Sequence, residues 1–140
     1  MKPRIGIIPG DPSGIGPELI AKLLSDESVT DQADILLIGD AHLFEMGQRQ
    51  ADSSFSLTPC DARTSDWTEL PGFAHHAQDT IDADDVNIAA VTIASGKSAL
   101  ANLNTALELA SDGIIDAITF GPFNKAALKE AGLGHEDELH

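Results

Sequence analysis

The sequence is poor in basic residues and in long apolar runs, and each shortage excludes a class of protein. It has 8 Lys and Arg against 23 Asp and Glu, a formal net charge of −15. Because this charge repels nucleic acid phosphates and anionic lipid headgroups, we expect no nucleic acid partner and no membrane partner. No apolar run approaches the roughly 20 residues that a membrane-spanning helix needs. The sequence therefore predicts a soluble protein.

Cysteine is also scarce, since Cys60 is the only one in the chain. A single cysteine cannot form an internal disulfide, which fits a reducing compartment. No basic neighbour stands beside Cys60 to lower the pKa of its thiol, so we expect no role for it. The start MKPRIGIIPG breaks at Pro9 and Gly10, too early for a secretory signal. We expect a cytoplasmic protein.

Apolar periodicity predicts alternating strands and helices in the first third of the chain. A buried strand is expected from Arg4 to Pro9, followed by a helix from Pro17 to Asp26 with Leu19, Ile20, Leu23 and Leu24 on one face. Pro17 suits the first helical position and Glu18 complements the positive end of the helix. A second strand is predicted over Ala33–Asp40 and a second helix from Ala41 to about Gln50.

The middle of the chain is less regular, and order returns near Ser95. The composition from Asp52 to Val86 predicts a surface segment or an edge hairpin, with FSLT and PGFAHH as short strands. The irregular excursion as a whole is expected over about 52–90. A helix is predicted over Ser95–Gly113, with Gly113 as a left-handed cap, on the spacing of Leu100, Leu103, Leu107 and Ala110. A strand over Ile114–Pro122 and a short helix over Asn124–Leu133 follow.

This alternation predicts the fold class. Strands separated by helices of this length form βαβ units, so we expect an α/β protein with three layers, α/β/α, and a mainly parallel sheet. Ligands gather at the carboxyl ends of parallel strands. The loops GDPSGIGPE, after the first strand, and GPFNK, after the strand that begins at Ile114, should therefore lie at the same edge of the sheet.

The first of these loops is dense in special backbone residues. Its glycines fall at Gly10, Gly14 and Gly16, which is neither a dinucleotide GxGxxG nor a P-loop. These glycines either bind a cofactor or only allow a tight turn from strand to helix. Asp11 could bind a cation, orient a cofactor hydroxyl or stabilise its own turn.

Two separated stretches, IPGDPSGIGPELIAKLL and DAITFGPFNKAALKEAG, followed by the pair Gly134–His135, resemble the 4-hydroxythreonine-4-phosphate dehydrogenase family. The likeness covers 4–40 and 95–140, and the opening motif is also similar to that of isopropylmalate and isocitrate dehydrogenases. The resemblance implies their fold and a homodimeric, NAD-dependent enzyme of pyridoxal phosphate synthesis. Such an enzyme oxidises a secondary alcohol of a small anionic or polyhydroxy substrate, with possible decarboxylation.

The resemblance also implies site residues. His135 matches a family histidine that contacts the phosphorylated substrate, while Glu136 stands where the family has threonine. Asn124 and Lys125 open a predicted helix after a strand, where a cation and the helix dipole could hold an anion, although Lys125 could equally be a solvent lysine.

Glu136 leaves the substrate open. A carboxylate cannot donate a hydrogen bond to a phosphate, so Glu136 could instead accept hydrogen bonds from the hydroxyls of a phosphorylated sugar acid or a cis-dihydrodiol, which relatives oxidise. Alternatively, Glu136 faces solvent and the ordinary phosphorylated substrate is kept. His135 could also be a surface histidine.

The remaining histidines have no metal-like spacing. His75 and His76 are adjacent, which aims their side chains in opposite directions on a strand, so we expect both on the surface. His42 is expected to be partly exposed or to cap the second helix.

The resemblance places the three histidines that bind the divalent metal, and most nicotinamide contacts, beyond residue 140. We therefore interpret 1–140 as the amino-terminal α/β portion of a longer two-domain dehydrogenase, with no catalytic or metal-binding residue of its own and inactive alone. The alternative is a non-catalytic binding or scaffold domain that keeps the two turn motifs for folding.

Overall fold

The computed structural model describes residues 2–87, 90 and 92–122. Within these ranges the elements are β1 (Arg4–Ile8), α1 (Gly16–Leu24), α2 (Glu27–Thr30), β2 (Asp34–Gly39), α3 (Ala41–Ala51), β3 (Leu57–Cys60), β4 (Phe73–Ala77), α4 (Ile93–Ser111) and β5 (Ala117–Phe120). Short 3-10 turns lie at Trp67–Glu69 and Ala83–Asp85. The predicted α/β class is confirmed.

The five strands form one sheet in the order β3-β4-β2-β1-β5, and every neighbouring pair is parallel. Since the strands are parallel, their carboxyl ends share one edge, and the loops that leave β1, β2, β4 and β5 meet there. The connection from β1 to β2 and the connection from β4 to β5 run in opposite directions across the sheet. Because such crossovers are right-handed, their helices α1 and α4 lie on opposite faces.

Two apolar cores lie on the two faces of the sheet. Ile7 and Leu37 pack with Ile20, Leu24 and Phe44 from α1 and α3. The other face carries residues of the alternate parity, which pack against α4 and the turn at Trp67: Ile8, Leu36, Ile38, Ala74, Ala106 and Leu109. The alternation of neighbouring strand residues between the cores is the period of two that a sheet covered on both sides requires.

The segment from Asp52 to Val86 departs from expectation. The predicted short strands exist as β3 and β4, but they run parallel, with Leu57 opposite Phe73 and Cys60 opposite His76. The hairpin interpretation is therefore wrong, and β4 is an interior strand paired with β2 as well. A parallel pair needs a crossover, and 61–72 supplies it.

Two helices bury only part of the stripe predicted for them, since Leu103 and Ala110 of α4 pack against the core but are only partly buried. On α1, Ile20 and Leu24 are buried, whereas Leu19 and Leu23 are exposed. On α4 the buried stripe includes Ser98, Asn102, Ala106 and Leu109, and Leu107 is half exposed. The helical spacing is confirmed, and on α4 the buried stripe is shifted toward small and polar residues, which face the sheet.

The predicted cap at Gly113 is confirmed. Gly113 has a φ of 76°, its N–H donates to Ala110 O (3.1 Å), and the N–H of Ile114 donates to Leu109 O (2.9 Å). These two bonds form a Schellman motif, which ends α4 and turns the chain into β5. The helix predicted over Asn124–Leu133 lies outside the described residues.

Candidate functional site

The two loops singled out in the sequence meet at the carboxyl edge of the sheet. The N–H of Asp11 donates to Pro122 O at 2.9 Å, and the N–H of Gly121 donates to Ile8 O at 3.1 Å. These bonds continue the β1–β5 pairing past the ends of both strands. The expectation of one shared edge is confirmed for the described part of the second loop, Gly121–Pro122.

Three glycines allow the two loops to touch backbone to backbone. Gly10 has a φ of 76°, and a Cβ there would lie 2.6 Å from Pro122 O. A Cβ on Gly121 would lie 2.7 Å from the Cα of Gly16, and a Cβ on Gly16 would collide with Pro9 O. Real Cβ atoms do not approach so closely. Gly10 and Gly16 therefore form part of a tight junction between chain segments.

Gly14 differs from the other loop glycines. A Cβ at Gly14 would meet Asp11 O at 3.5 Å, which is ordinary van der Waals contact, and its φ is not in the left-handed region. The tip of the loop, with Ile15 as the N-cap of α1, is exposed. The backbone thus requires glycine at Gly10 and Gly16, on either side of the tip, but not at Gly14.

Asp11 is buried and binds its own loop. Its Oδ1 accepts from the N–H of Ser13 at 2.8 Å, and its carbonyl oxygen accepts from the N–H of Gly14 at 3.0 Å. Burial raises the pKa of the Asp11 carboxyl, and the Ser13 N–H opposes that rise. The backbone N–H groups of Asp11, Ser13 and Gly14 are all engaged within the junction.

The start of α4 is tied to the first loop. The hydroxyls of Ser13 and Ser95 lie 2.5 Å apart, and both residues are buried. Thr92 caps α4 by accepting from the N–H of Ser95 at 3.0 Å. The contact between Ser13 and Ser95 fixes the loop after β1 against α4, the helix that leads to β5.

A second polar junction, built on Asp40, was not predicted. Its buried carboxylate accepts from the N–H and hydroxyl of Thr80 (2.8 and 2.7 Å) and from the N–H of Ile81 (3.0 Å). The Thr80 hydroxyl also lies 2.7 Å from the hydroxyl of Ser98. Asp40 thereby joins the ends of β2 and β4 to α4. The Gly-Asp pair that closes β2 was the available sequence signal.

The histidine prediction is wrong for His75. This side chain is buried, its Nε2 lies 2.7 Å from Gly39 O, and its ring contacts Phe44 edge-on. A carbonyl only accepts, so Nε2 carries the proton. Adjacency does aim His76 to the other face, where its Nδ1 accepts from the N–H of Ala62 at 3.1 Å. Burial lowers the pKa of His76.

Within the described ranges no three His, Cys, Asp or Glu side chains converge as metal ligands would. The described residues therefore do not fit a divalent metal site. Cys60 is partly buried, and that burial raises the pKa of its thiol. No helix in this part of the chain is long and apolar enough to cross a membrane. The predicted substrate residues Asn124, Lys125, His135 and Glu136 lie outside the described residues.

Comparison with known proteins agrees with the fold. The "Putative 4-hydroxythreonine-4-phosphate dehydrogenase 2" of Pseudomonas aeruginosa is 40% identical over 139 residues, which is 99% of this chain and 41% of that protein. The "Putative D-threonate 4-phosphate dehydrogenase" of Clostridium botulinum is 30% identical over 99% of this chain and 42% of its own length. The crystal structure of a 4-hydroxythreonine-4-phosphate dehydrogenase from Burkholderia phymatum matches 97% of this chain and 41% of that one, at 31% identity and a TM-score of 0.86.

The chain thus spans about two-fifths of the length of these relatives. The profile of one family, described as "Pyridoxal phosphate biosynthetic protein PdxA", matches residues 31–140. Because this match covers most of the chain, the protein belongs to the PdxA family.

Proposed function

We propose that this chain is the amino-terminal α/β portion of an NAD-dependent dehydrogenase that oxidises a secondary alcohol of a phosphorylated hydroxy acid, with possible decarboxylation. The observation that carries the proposal is the bond between Asp11 and Pro122. It brings together, at the ligand-binding edge of a parallel sheet, the two motifs through which the sequence resembles dehydrogenases.

In this proposal the junction positions the site and does not itself hold the cofactor. The N–H groups of Asp11, Ser13 and Gly14 already have acceptors in the chain, so they are not available to a pyrophosphate. Of the two roles expected for Gly10, Asp11, Gly14 and Gly16, the geometry supports the structural turn for Gly10, Asp11 and Gly16, whereas Gly14 has no such backbone requirement. Pro122, which belongs to the junction, precedes Asn124 by two residues in the sequence. We therefore propose that the substrate residues begin at this edge of the sheet.

The proposed roles of the later residues follow from their chemistry. Lys125 supplies a positive charge to the anionic end of the substrate, and His135 donates a hydrogen bond to it. Glu136 accepts hydrogen bonds from substrate hydroxyl or amino groups, because an ionised carboxylate has no proton to donate to a phosphate. This chemistry would need NAD as the hydride acceptor and a divalent metal, held by residues beyond 140, that would polarise the substrate hydroxyl.

The likeness to a D-threonate 4-phosphate dehydrogenase supports a second candidate substrate. D-threonate 4-phosphate is a phosphorylated sugar acid, the class to which Glu136 pointed. It carries a hydroxyl where 4-phosphohydroxy-L-threonine carries an amino group. Both candidates share the phosphate and the secondary alcohol, so the group beside the carboxylate distinguishes them.

The test is steady-state kinetics of the polypeptide at the length of its relatives, with NAD, a divalent metal and each substrate. We expect NADH formation with at least one of the two, and a preference that changes about tenfold or more in Glu136→Thr, since an unpaired charge typically costs on the order of 1–3 kcal/mol. Oxidation of neither substrate would contradict the proposal. An unchanged preference in Glu136→Thr would show that this side chain faces away from the substrate.

A further inference from the structure

An apolar groove runs along the α1 face of the sheet beside β5. Its floor is formed by Ile5, Ile7 and Thr119, and its wall by Leu19 and Leu23 of α1. The groove has two adjoining hollows of about 290 and 350 Å³, which share Leu23 and Thr119. One hollow lies toward Pro3 and Gln32, and the other reaches Gly121 and Pro122. The groove therefore runs from the amino ends to the carboxyl ends of the strands.

The groove explains why α1 exposes two leucines. Leu19 is 44% exposed and Leu23 is 36% exposed, although both belong to the apolar stripe of the helix. Exposed large apolar side chains that are contiguous and line one groove indicate a covering partner. Among the described strands β5 is at the edge of the sheet, and among the described helices the short α2 borders one end of the groove through Val29.

We infer that the groove is the docking site of residues 124–133 of this same chain. The first argument is where the described chain leads. Gly121 packs against Gly16, the first residue of α1, and both Gly121 and Pro122 line the groove. The backbone thus reaches the mouth of the groove at Gly121 and Pro122.

Length and composition provide the second argument. A helix of ten residues is about 15 Å long, and the floor strand β1 has 5 residues, which span about 17 Å. A helix over 124–133 would present Ala127, Leu128 and Ala131 within one face. These small and medium side chains suit a groove that is already walled by leucines.

Charge provides the third argument. Glu18 lies in the first turn of α1, where it pairs with Lys22 at 2.8 Å and stays partly exposed. A helix that enters the groove from Pro122 would run alongside α1. It would bring the positive charge of Lys125, in its own first turn, to the edge of the sheet where the negative charge of Glu18 lies. The inference does not depend on the proposed enzymatic activity.

Hydrogen–deuterium exchange of the full chain, followed by mass spectrometry, tests the docking. We expect protected amides over 124–133, with protection reduced about tenfold or more in Leu23→Glu, because a charge replaces buried apolar contact. The matched control is Leu107→Glu, at a leucine that is 52% exposed on the opposite face. It should leave the protection of 124–133 unchanged within about twofold.

Leu128→Glu supplies a second variant on the docking segment itself, and it decides the question if Leu23→Glu does not fold. It should reduce protection over 124–133 to the same extent while β1 and β2 stay protected. Free exchange of 124–133 in the wild type would overturn the inference, as would equal protection in all variants. A concentration-dependent dimer that Leu23→Glu dissociates without altering exchange of 124–133 would assign the groove to a second copy instead.

Discussion

The N–H of Asp11 donates to the carbonyl of Pro122 at 2.9 Å, which joins two loops separated by more than a hundred residues of sequence. The contact is possible because Gly10, Gly16 and Gly121 remove the side chains that would keep the backbones apart. The loop after β1 is thus packed against a neighbouring loop of the same chain, through Gly121 and Pro122.

Gly121→Ala should destabilise the protein strongly. The new methyl would collide with Pro9 O and lie 2.7 Å from the Cα of Gly16, and both are backbone atoms that cannot move aside cheaply. We expect the free energy of unfolding in urea to fall by about 3 kcal/mol or more. Gly14→Ala is the matched control and should change it by less than about 0.5 kcal/mol. Equal losses in both variants would contradict the packed junction.

Asp40→Asn should weaken the attachment of β4 to β2. The carboxylate accepts three hydrogen bonds from Thr80 and Ile81, whereas an amide turns a donor toward one of those N–H groups. The expected loss in the free energy of unfolding is about 2–4 kcal/mol. Asp79→Asn, at an exposed neighbour, should have little effect. A loss at Asp79 as large as that at Asp40 would argue against the clamp.

The raised pKa of Asp11 predicts a pH dependence with a definite sign. The folded protein holds this proton more tightly than the unfolded chain, whose carboxyl titrates near 3.8. The contribution of Asp11 to the free energy of unfolding is therefore full below pH 3.8 and falls as the pH rises through the folded pKa. In urea titrations, Asp11→Asn should gain stability relative to wild type as the pH rises from 3.8. A relative loss over that range would contradict the buried carboxyl.

His76 predicts the opposite behaviour near neutral pH. Burial lowers its folded pKa from 6.5, and its Nδ1 must stay unprotonated to accept from Ala62. The unfolded chain thus binds the proton first, so the wild type should lose stability as the pH falls below 6.5. His76→Gln does not titrate and should lose less over the same range. A constant difference between the two proteins would show that His76 is solvated.

The sequence predicted what depends on short-range patterns. Pro17 and Glu18 indicated the start of α1, and Gly113 indicated the end of α4; both are local signals that the chain carries within one turn. The pairing of β3 with β4 is not local. Its direction depends on the crossover through Trp67, which neither strand encodes, and so the hairpin interpretation failed.

The candidate site shows the same division. The meeting of the Gly10 and Gly121 loops followed from the parallel sheet, because strand ends share an edge. The Asp40–Thr80 clamp and the burial of His75 did not follow, since each joins side chains to elements about 36–41 residues apart. His75 is a polar residue in a short strand, and such a position predicts an exposed side chain. Its burial depends on its hydrogen-bond partner, Gly39 O, which the sequence pattern does not reveal.

The most direct test of the central claim is NADH formation by the polypeptide at the length of its relatives, with 4-phosphohydroxy-L-threonine or D-threonate 4-phosphate as substrate. Lys125→Met should lower kcat/KM about tenfold or more, because a charge facing the phosphorylated substrate is lost. Lys129→Met, one helical turn further along the predicted helix, should lower it by less than about twofold. NAD-dependent oxidation with this order of effects is the predicted result. Absence of oxidation of both substrates by a folded, metal-supplied protein would contradict the account.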